Sequence, residues 1–325
     1  MDLTVLFLGT GGSAPAANRG MPALLVRRGG DRLLFDCGEG TQRQLVRSVG
    51  LLELDCIFIT HLHADHWLGL PGLLKTYDLQ ERSRPLLLFG PPGLKEALGA
   101  MRIAWGKKSL CYDLIVRELE PLERVARDGY GVSAIPVAHR GVSYGYAIVE
   151  DPRPGRFDPD RAKALGIQPG PDFGRLQRGE VVGGVRPEQV LGPPRLGRKV
   201  VISGDTAPCE PLRVAADRAD LLIHEATFLE EDRQRAQETG HATARQAAEL
   251  GAACQVKLLA LVHHSGRYPA RAVREEAQAV FPPAVVPRDF DLIEVPYPER
   301  GGPRLLGGEG RVPAAPADTV PDRVL

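Results

Sequence analysis

Four side chains of metal-binding type lie within six consecutive residues of this 325-residue sequence: His61, His63, Asp65 and His66. A short apolar run precedes them. Alternate side chains of an extended segment point the same way, so His61 and His63 can bind one cation from one side. Asp65 and His66 follow in the turn, where both can face a neighbouring point. The spacing therefore predicts two metal ions side by side, and imidazole nitrogens with carboxylate oxygens favour zinc. The alternative is a loop in which histidines cluster by chance or cap a strand.

The elements that would position these residues are short apolar strands, several of which end at a ligand-type side chain. His61, His139, Asp205 and His263 each lie at or just after such a strand. In layered α/β folds strand ends gather at one edge, where sites tend to form. Strands are predicted at 3–8, 23–26, 32–36, 54–60, 85–89, 132–137, 200–203, 221–223 and 258–262, and helices at 41–49, 93–103 and 242–250. This alternation predicts the α/β class.

Four segments carry a resemblance to a known family. They are the His-x-His-x-Asp-His motif itself, FLGTGG at 7–12, FDCGEGTQRQ at 35–44 and GLPGLL at 69–74. Together they resemble the ribonuclease Z family, tRNA 3′-processing endonucleases of the metallo-β-lactamase superfamily, and the similarity runs from about residue 3 to about residue 290. The resemblance implies a four-layer αββα sandwich over residues 1–300, with a flexible arm inserted at 151–198. A disordered tail is expected at 301–325, where glycine, proline and alanine are abundant.

The strand-end pattern and the resemblance together suggest a ligand assignment for two zinc ions per subunit. The first zinc is assigned to His61, His63 and His139, the second to Asp65, His66 and His263, and Asp205 bridges them. His264 adjoins His263, and adjacent side chains point apart, so only one of the two is expected to bind metal. The family has a single histidine here, which matches His263, and a usually aromatic residue at the position of His264.

Two metals suit phosphodiester hydrolysis, because together they orient a water and neutralise charge on the phosphate. The family gives Asp65 the further role of accepting the proton of that water. It uses a histidine as proton donor to the leaving 3′ oxygen and a glutamate to orient that histidine, which here correspond to His241 and Glu225. The alternative for His241 is a solvent-exposed histidine at the start of a helix. Arg19 resembles a basic residue of a family loop near the RNA 3′ end, although it could be an ordinary surface arginine.

Residues 151–200 differ in composition from the rest, with 8 prolines, 9 glycines, 10 basic and 6 acidic side chains, a local net charge of +4. Little regular structure is expected in such a segment. One interpretation is a solvated linker. The other, which the resemblance favours, is a basic arm that holds RNA phosphates.

The whole chain has 41 basic and 41 acidic residues, so no overall positive charge indicates a nucleic-acid partner, and any RNA must be bound by a local patch. Its five cysteines are scattered without a CxxC pair, which favours a reducing cytoplasm over a disulfide framework. No apolar run reaches the length of a membrane span.

These observations predict a zinc-dependent endoribonuclease that removes the 3′ trailer of precursor tRNA and leaves a 3′ hydroxyl. From the family, a homodimer is expected, in which the arm of one subunit reaches RNA held by the other. One alternative is another dinuclear hydrolase, a phosphodiesterase or an arylsulfatase-like enzyme, for which a basic arm would be surplus. A second is an RNA-binding module with structural zinc, but a site of histidines and carboxylates without cysteine is typical of hydrolysis.

Overall fold

In the computed structural model, residues 1–14, 16–104 and 109–307 are described, and they form two β-sheets packed face to face with helices on both outer sides. The first sheet has the order β15-β14-β1-β2-β3-β4-β5-β6 and the second the order β13-β12-β11-β10-β9-β8-β7. The strands of the first sheet are β1 (Leu3–Gly9), β2 (Ala23–Arg28), β3 (Asp31–Phe35), β4 (Cys56–Phe58), β5 (Leu86–Gly90), β6 (Leu114–Glu118), β14 (Leu292–Glu294) and β15 (Arg304–Leu306). Those of the second are β7 (Arg124–Arg127), β8 (Tyr130–Pro136), β9 (Tyr144–Glu150), β10 (Lys199–Ile202), β11 (Leu221–Glu225), β12 (Leu258–Val262) and β13 (Ala284–Val285).

The central strands of each sheet are buried on both faces, since successive side chains point to opposite sides and meet either the other sheet or the outer helices. In β1, Val5 and Phe7 point into the core between the sheets, whereas Leu6 and Leu8 point towards helices. This explains why the strands are nearly continuous apolar runs instead of alternating with polar residues.

Helices form the two outer layers. The helices are α1 (Thr41–Ser48), α2 (Ala64–Trp67), α3 (Leu70–Leu79), α4 (Leu94–Ala104), α5 (Pro159–Ala164), α6 (Pro171–Gln177), α7 (Glu210–Ala216), α8 (Arg233–Thr239), α9 (Ala244–Ala253) and α10 (Ala270–Gln278). Buried side chains of α1, α3 and α4 pack on the first sheet, and those of α7, α9 and α10 pack on the second. The predicted αββα sandwich is confirmed.

The strands that precede candidate ligands run in one direction. Strands β3 to β6 pair in parallel, as do β10 to β13. Strand β9 is antiparallel to both β8 and β10, so β8 runs in the same direction as β10. The carboxyl ends of β8, β10, β11 and β12 therefore meet at one edge, as the sequence pattern predicts.

The inserted arm leaves the second sheet at the opposite edge, since β9 ends beside the start of β10. Our expectation of little regular structure in the arm is wrong. Helices α5 and α6 lie within it, and they enclose a small apolar cluster that includes Ile167 and Leu176. Pro159 and Pro171 occupy the first turns of these helices, where a missing N–H costs nothing, and Asp158 caps α5. Two of the eight prolines that made the segment resemble a linker therefore begin its helices.

The prediction of a disordered tail is wrong for its first part. Strand β15 pairs with β14, and Arg304 forms an ion pair with Glu294. Residues 308–325 lie outside the described residues. Strands β6, β7, β9 and β13 to β15, and helices α7, α8 and α10, lie in segments to which we assigned no element. In the described ranges, none of the helices is both long and apolar enough to cross a membrane.

Candidate metal centre and active site

Three imidazole rings converge where β4 and β8 end. His63 Nδ1 lies 3.0 Å from His61 Nε2 and 3.2 Å from His139 Nε2. The opposite nitrogens already have partners, because His139 Nδ1 donates to the carbonyl of Gly240 at 2.7 Å and His61 Nδ1 lies 3.0 Å from Thr60 Oγ1. The converging nitrogens are thus free to offer lone pairs to a cation.

A second group of donors lies beside the first. His263 Nε2 is 3.3 Å from Asp65 Oδ2 and 3.4 Å from His66 Nε2. The carboxylate of Asp205 lies between the two groups, with its Oδ2 3.2 Å from His263, 3.4 Å from His66 and 3.9 Å from His61. The position of Asp205 is therefore compatible with a bridge between two ions.

Short-range geometry explains how one motif supplies both groups. His63 precedes α2 in an extended conformation, whereas Asp65 and His66 lie inside this one-turn helix. The sequence placed those two residues in a turn. The helical turn directs them to the second group, while His61 and His63 face the first.

The glycine-rich loop after β1 shapes the second group. A side chain on Gly12 would come within 2.5 Å of the ring of His263, so only glycine fits beneath that imidazole. The next residue, Ser13, donates its backbone N–H to Asp65 Oδ2 at 2.9 Å. The loop therefore helps to hold two of the candidate metal-binding side chains, Asp65 and His263.

His241 and Glu225 form a pair beside the metal-type groups. His241 Nδ1 donates to Glu225 Oε1 at 2.7 Å and lies 3.9 Å from Asp205 Oδ2. Glu225 is buried at the end of β11, and its other oxygen accepts hydrogen bonds from the backbone N–H and hydroxyl of Thr227. His241 is half-buried at the edge of the site, not the solvent-exposed histidine of the alternative interpretation.

The electrostatics of the site favour neutral histidines at the first group and charged carboxylates near the second. Burial lowers the pKa of His61 to about 2, so this ring is neutral, as a metal ligand must be. Burial alone would raise the pKa of Asp205, but the rings of His263 and His66 hold it well below its ordinary value. Burial alone would lower the pKa of His241, but the hydrogen bond to Glu225 outweighs burial, so the pKa of His241 is raised.

All nine predicted site residues lie together at this edge. Sequence reasoning missed two further side chains that orient them. Asp36 accepts a hydrogen bond from His66 Nδ1 at 2.7 Å, and Thr227 Oγ1 lies 3.0 Å from His263 Nδ1. One signal existed for Asp36, since it follows β3 as the candidate ligands follow their strands.

His264 and Arg19 lie beside the site. His264 is buried, and neither ring nitrogen has a hydrogen-bond partner within the described ranges, consistent with its taking an apolar position. Burial lowers its pKa to about 3. Arg19 is not a free surface arginine, because it donates to Thr10 Oγ1 at 2.5 Å.

Fold and site together define a metal-dependent hydrolase of the metallo-β-lactamase class. The sequence profile of the Metallo-beta-lactamase superfamily matches residues 22–194. Ribonuclease Z of Methanosarcina acetivorans is 44% identical over 302 residues, which cover 91% of this chain and 99% of the relative. Ribonuclease Z of Haloferax volcanii is 45% identical over 318 residues, 95% of this chain and 100% of the relative.

The solved structure of human tRNase Z, short form, superposes with a TM-score of 0.67 at 30% identity, over 90% of this chain and 99% of that one. The chain therefore belongs to the ribonuclease Z family, as its motifs predicted.

Proposed function

We propose that this protein is a zinc-dependent endoribonuclease that removes the 3′ trailer of precursor tRNA and leaves a 3′ hydroxyl. One observation carries the proposal: two metal-type donor groups share Asp205 and adjoin the His241–Glu225 pair. Such a site can activate a water, neutralise a phosphate and protonate a leaving oxygen. Membership of the ribonuclease Z family supports RNA as the substrate.

Two zinc ions per subunit fit the donors present. The first ion would be held by His61, His63 and His139, and the second by Asp65, His66 and His263. Both ions would be held by Asp205. Imidazole and carboxylate without thiolate suit a catalytic zinc site. When bound, the ions would supply Lewis-acid stabilisation of the phosphate and a lowered pKa for an attacking water.

The chain's own groups would handle the protons. Asp65 would accept the proton of the attacking water, because Ser13 N–H holds its carboxylate in place. Burial would raise the pKa of Asp65, but His263 and His66 lower it, so the carboxylate is ionised and has a lone pair to offer. His241 would donate a proton to the leaving 3′ oxygen. Glu225 orients that ring and stabilises its charged form, which a proton donor requires.

The arm would bind the RNA backbone at a position distant from the cleavage site. Arg156, Arg161 and Arg186 are exposed on it and form no ion pair with any carboxylate in the described part of the chain. Such free guanidinium groups are suited to phosphates, and a small substrate would not need them.

A cytoplasmic homodimer is proposed as well. The outer helices of the first sheet expose Val46, Leu79 and Ile103, with Leu79 80% accessible, and a second subunit could cover these side chains. All five cysteines are free, in keeping with a reducing compartment. Light scattering would measure the mass, and Leu79→Glu should dissociate the dimer. A monomeric wild-type protein would contradict this part.

The test of the proposal is cleavage of a labelled precursor tRNA by the zinc-loaded protein and by Asp65→Ala. The control is Glu249→Ala, which removes an exposed carboxylate of α9. We expect one cut after the acceptor stem, lost only in Asp65→Ala, and a product that poly(A) polymerase can extend from its 3′ hydroxyl. Zinc analysis should find two ions per subunit and fewer in His63→Ala. Intact RNA with turnover of a small aryl phosphodiester would favour the other dinuclear hydrolase.

A further inference from the structure

The two ends of the arm are joined in the core by a buried ion cluster. Glu150 ends β9 and Arg198 precedes β10, and the carboxylate of Glu150 accepts from Arg198 Nε at 2.8 Å and Nη2 at 2.7 Å. Arg28 Nε donates to the same carboxylate at 2.8 Å. Burial alone would raise the pKa of Glu150, but these arginines lower it to about 2. The point at which the arm leaves the sheet is therefore fixed.

One step further out, the arm is held by a segment from the end of the chain. Arg153 and Arg195 pair through their backbones, with N···O distances of 2.8 and 2.9 Å. Both side chains then reach Glu299, Arg153 through two hydrogen bonds of 2.7 and 3.0 Å and Arg195 through one of 3.1 Å. The two-pronged contact fixes the orientation of the guanidinium plane.

Tyr297 supplies a second contact of the same segment. Its ring centroid lies 3.6 Å from the guanidinium carbon of Arg153 and 4.0 Å from that of Arg198. Arg198 also donates to the carbonyl of Val295 at 2.9 Å. An aromatic face attracts cations, so the ring holds one arginine of the buried cluster and one of the outer pair.

We infer that residues 295–300 act as a clamp that sets the direction of the arm, and that Tyr297 and Glu299 are positioning residues for RNA. This inference rests on the proposed function. Because the arm leaves the sheet at the edge opposite the metal centre, a small rotation at its base displaces its tip by a larger distance. Tyr297 and Glu299 therefore affect where a long substrate is held, without any contact with the reacting atoms.

The test separates RNA binding from chemistry. Tyr297→Leu and Glu299→Gln should each raise the KM for precursor tRNA about tenfold, with kcat within twofold, and should leave hydrolysis of a small aryl phosphodiester unchanged. Tyr297→Phe keeps the aromatic face and should behave as wild type. Glu294→Gln is the matched control, since Glu294 pairs with Arg304 in the same terminal segment.

Amide hydrogen exchange provides a readout that does not depend on cleavage. Exchange in residues 153–157 and 191–197 should accelerate in Tyr297→Leu and Glu299→Gln but not in the two controls. Unchanged KM or unchanged exchange in both clamp variants would overturn the inference, as would equal losses on RNA and on the small substrate. Failure of the wild-type protein to cut RNA would instead overturn the proposed function, while exchange would still test the clamp.

Discussion

At the edge of the sheets that carries the candidate metal centre, buried side chains come from strand ends. Most of the histidine rings there have a second partner that fixes their orientation. In the arm, by contrast, charged groups are mostly exposed, and several pair with near neighbours, as Arg175 does with Asp172 and Glu180. The edge is held by two large sheets and the arm by a small apolar cluster and its base. The comparison suggests that chemistry requires preorganised groups, whereas the contacts that select a long substrate can lie on an appendage.

The largest effect is expected at the proposed proton donor. His241→Ala should lower cleavage of precursor tRNA about 10²- to 10⁴-fold, because the leaving 3′ oxygen then lacks a positioned acid. A nitrophenyl phosphodiester, whose leaving group needs no proton, should lose far less. Single-turnover rates on both substrates check this prediction. Equal losses on both would mean that His241 serves the metal centre instead.

The base of the arm differs from the rest of the arm, since its ion cluster is buried. Glu150→Gln should lower the free energy of unfolding by about 3 kcal/mol at pH 7, because two arginines lose their buried counter-charge. The pKa of Glu150 is lowered in the folded protein from 4.5 to about 2. The stability it contributes is therefore present above pH 4.5 and is lost as the pH falls towards 2.

Urea unfolding at several pH values would measure the effect at Glu150. The difference in free energy of unfolding between Glu150→Gln and wild type should narrow on acidification. A difference that is constant with pH would contradict a stabilising role for the charge of Glu150. Glu299→Gln, which removes an exposed partner of Arg153, should cause a smaller loss.

The orienting groups of the metal edge should matter less than the proton donor but more than exposed charges. Asp36→Asn keeps the side-chain shape and removes the charge that His66 Nδ1 contacts, so zinc affinity should fall about 10- to 100-fold. Competition with a fluorescent chelator measures this affinity. Asp55→Asn is the control, because Asp55 directly precedes β4 and accepts from Arg32 N and from Arg84, away from the candidate metal ligands. A loss of the same size in both variants would rule out the orienting role.

The smallest effect concerns a buried residue of the edge that has no assigned role. His264→Phe should raise the free energy of unfolding by about 1 kcal/mol, because the buried ring nitrogens of His264 have no hydrogen-bond partner among the described residues. His224→Phe should have the opposite effect, since His224 Nδ1 donates to the carbonyl of Glu225. Thermal unfolding of the two variants and the wild type would measure both changes in stability. Destabilisation by His264→Phe would indicate that the ring has a polar partner.

Much of the fold followed from local patterns. Apolar runs predicted strands β1 to β5, β8 and β10 to β12, because most of their side chains are buried and each reads as a short hydrophobic block. Strands β6, β7, β9 and β13 to β15 and helices α7, α8 and α10 were not predicted. These three helices have only seven to nine residues, and helices of that length depend on tertiary packing for their stability. The arm was misjudged because its prolines indicated a linker, although Asp158 directly before Pro159 is a helix-start pattern.

The sequence by itself determined the chemical types at the site, since four candidate ligands lie within one six-residue motif and three more follow strands. Only the tertiary structure decided which of them meet and what orients them. Asp36 reaches His66 from 30 residues away and Glu299 reaches Arg153 from 146 residues away. Such contacts depend on strand order and on the edge from which each loop leaves. Those are properties of the assembled sheets, and the residues of any one segment do not encode them.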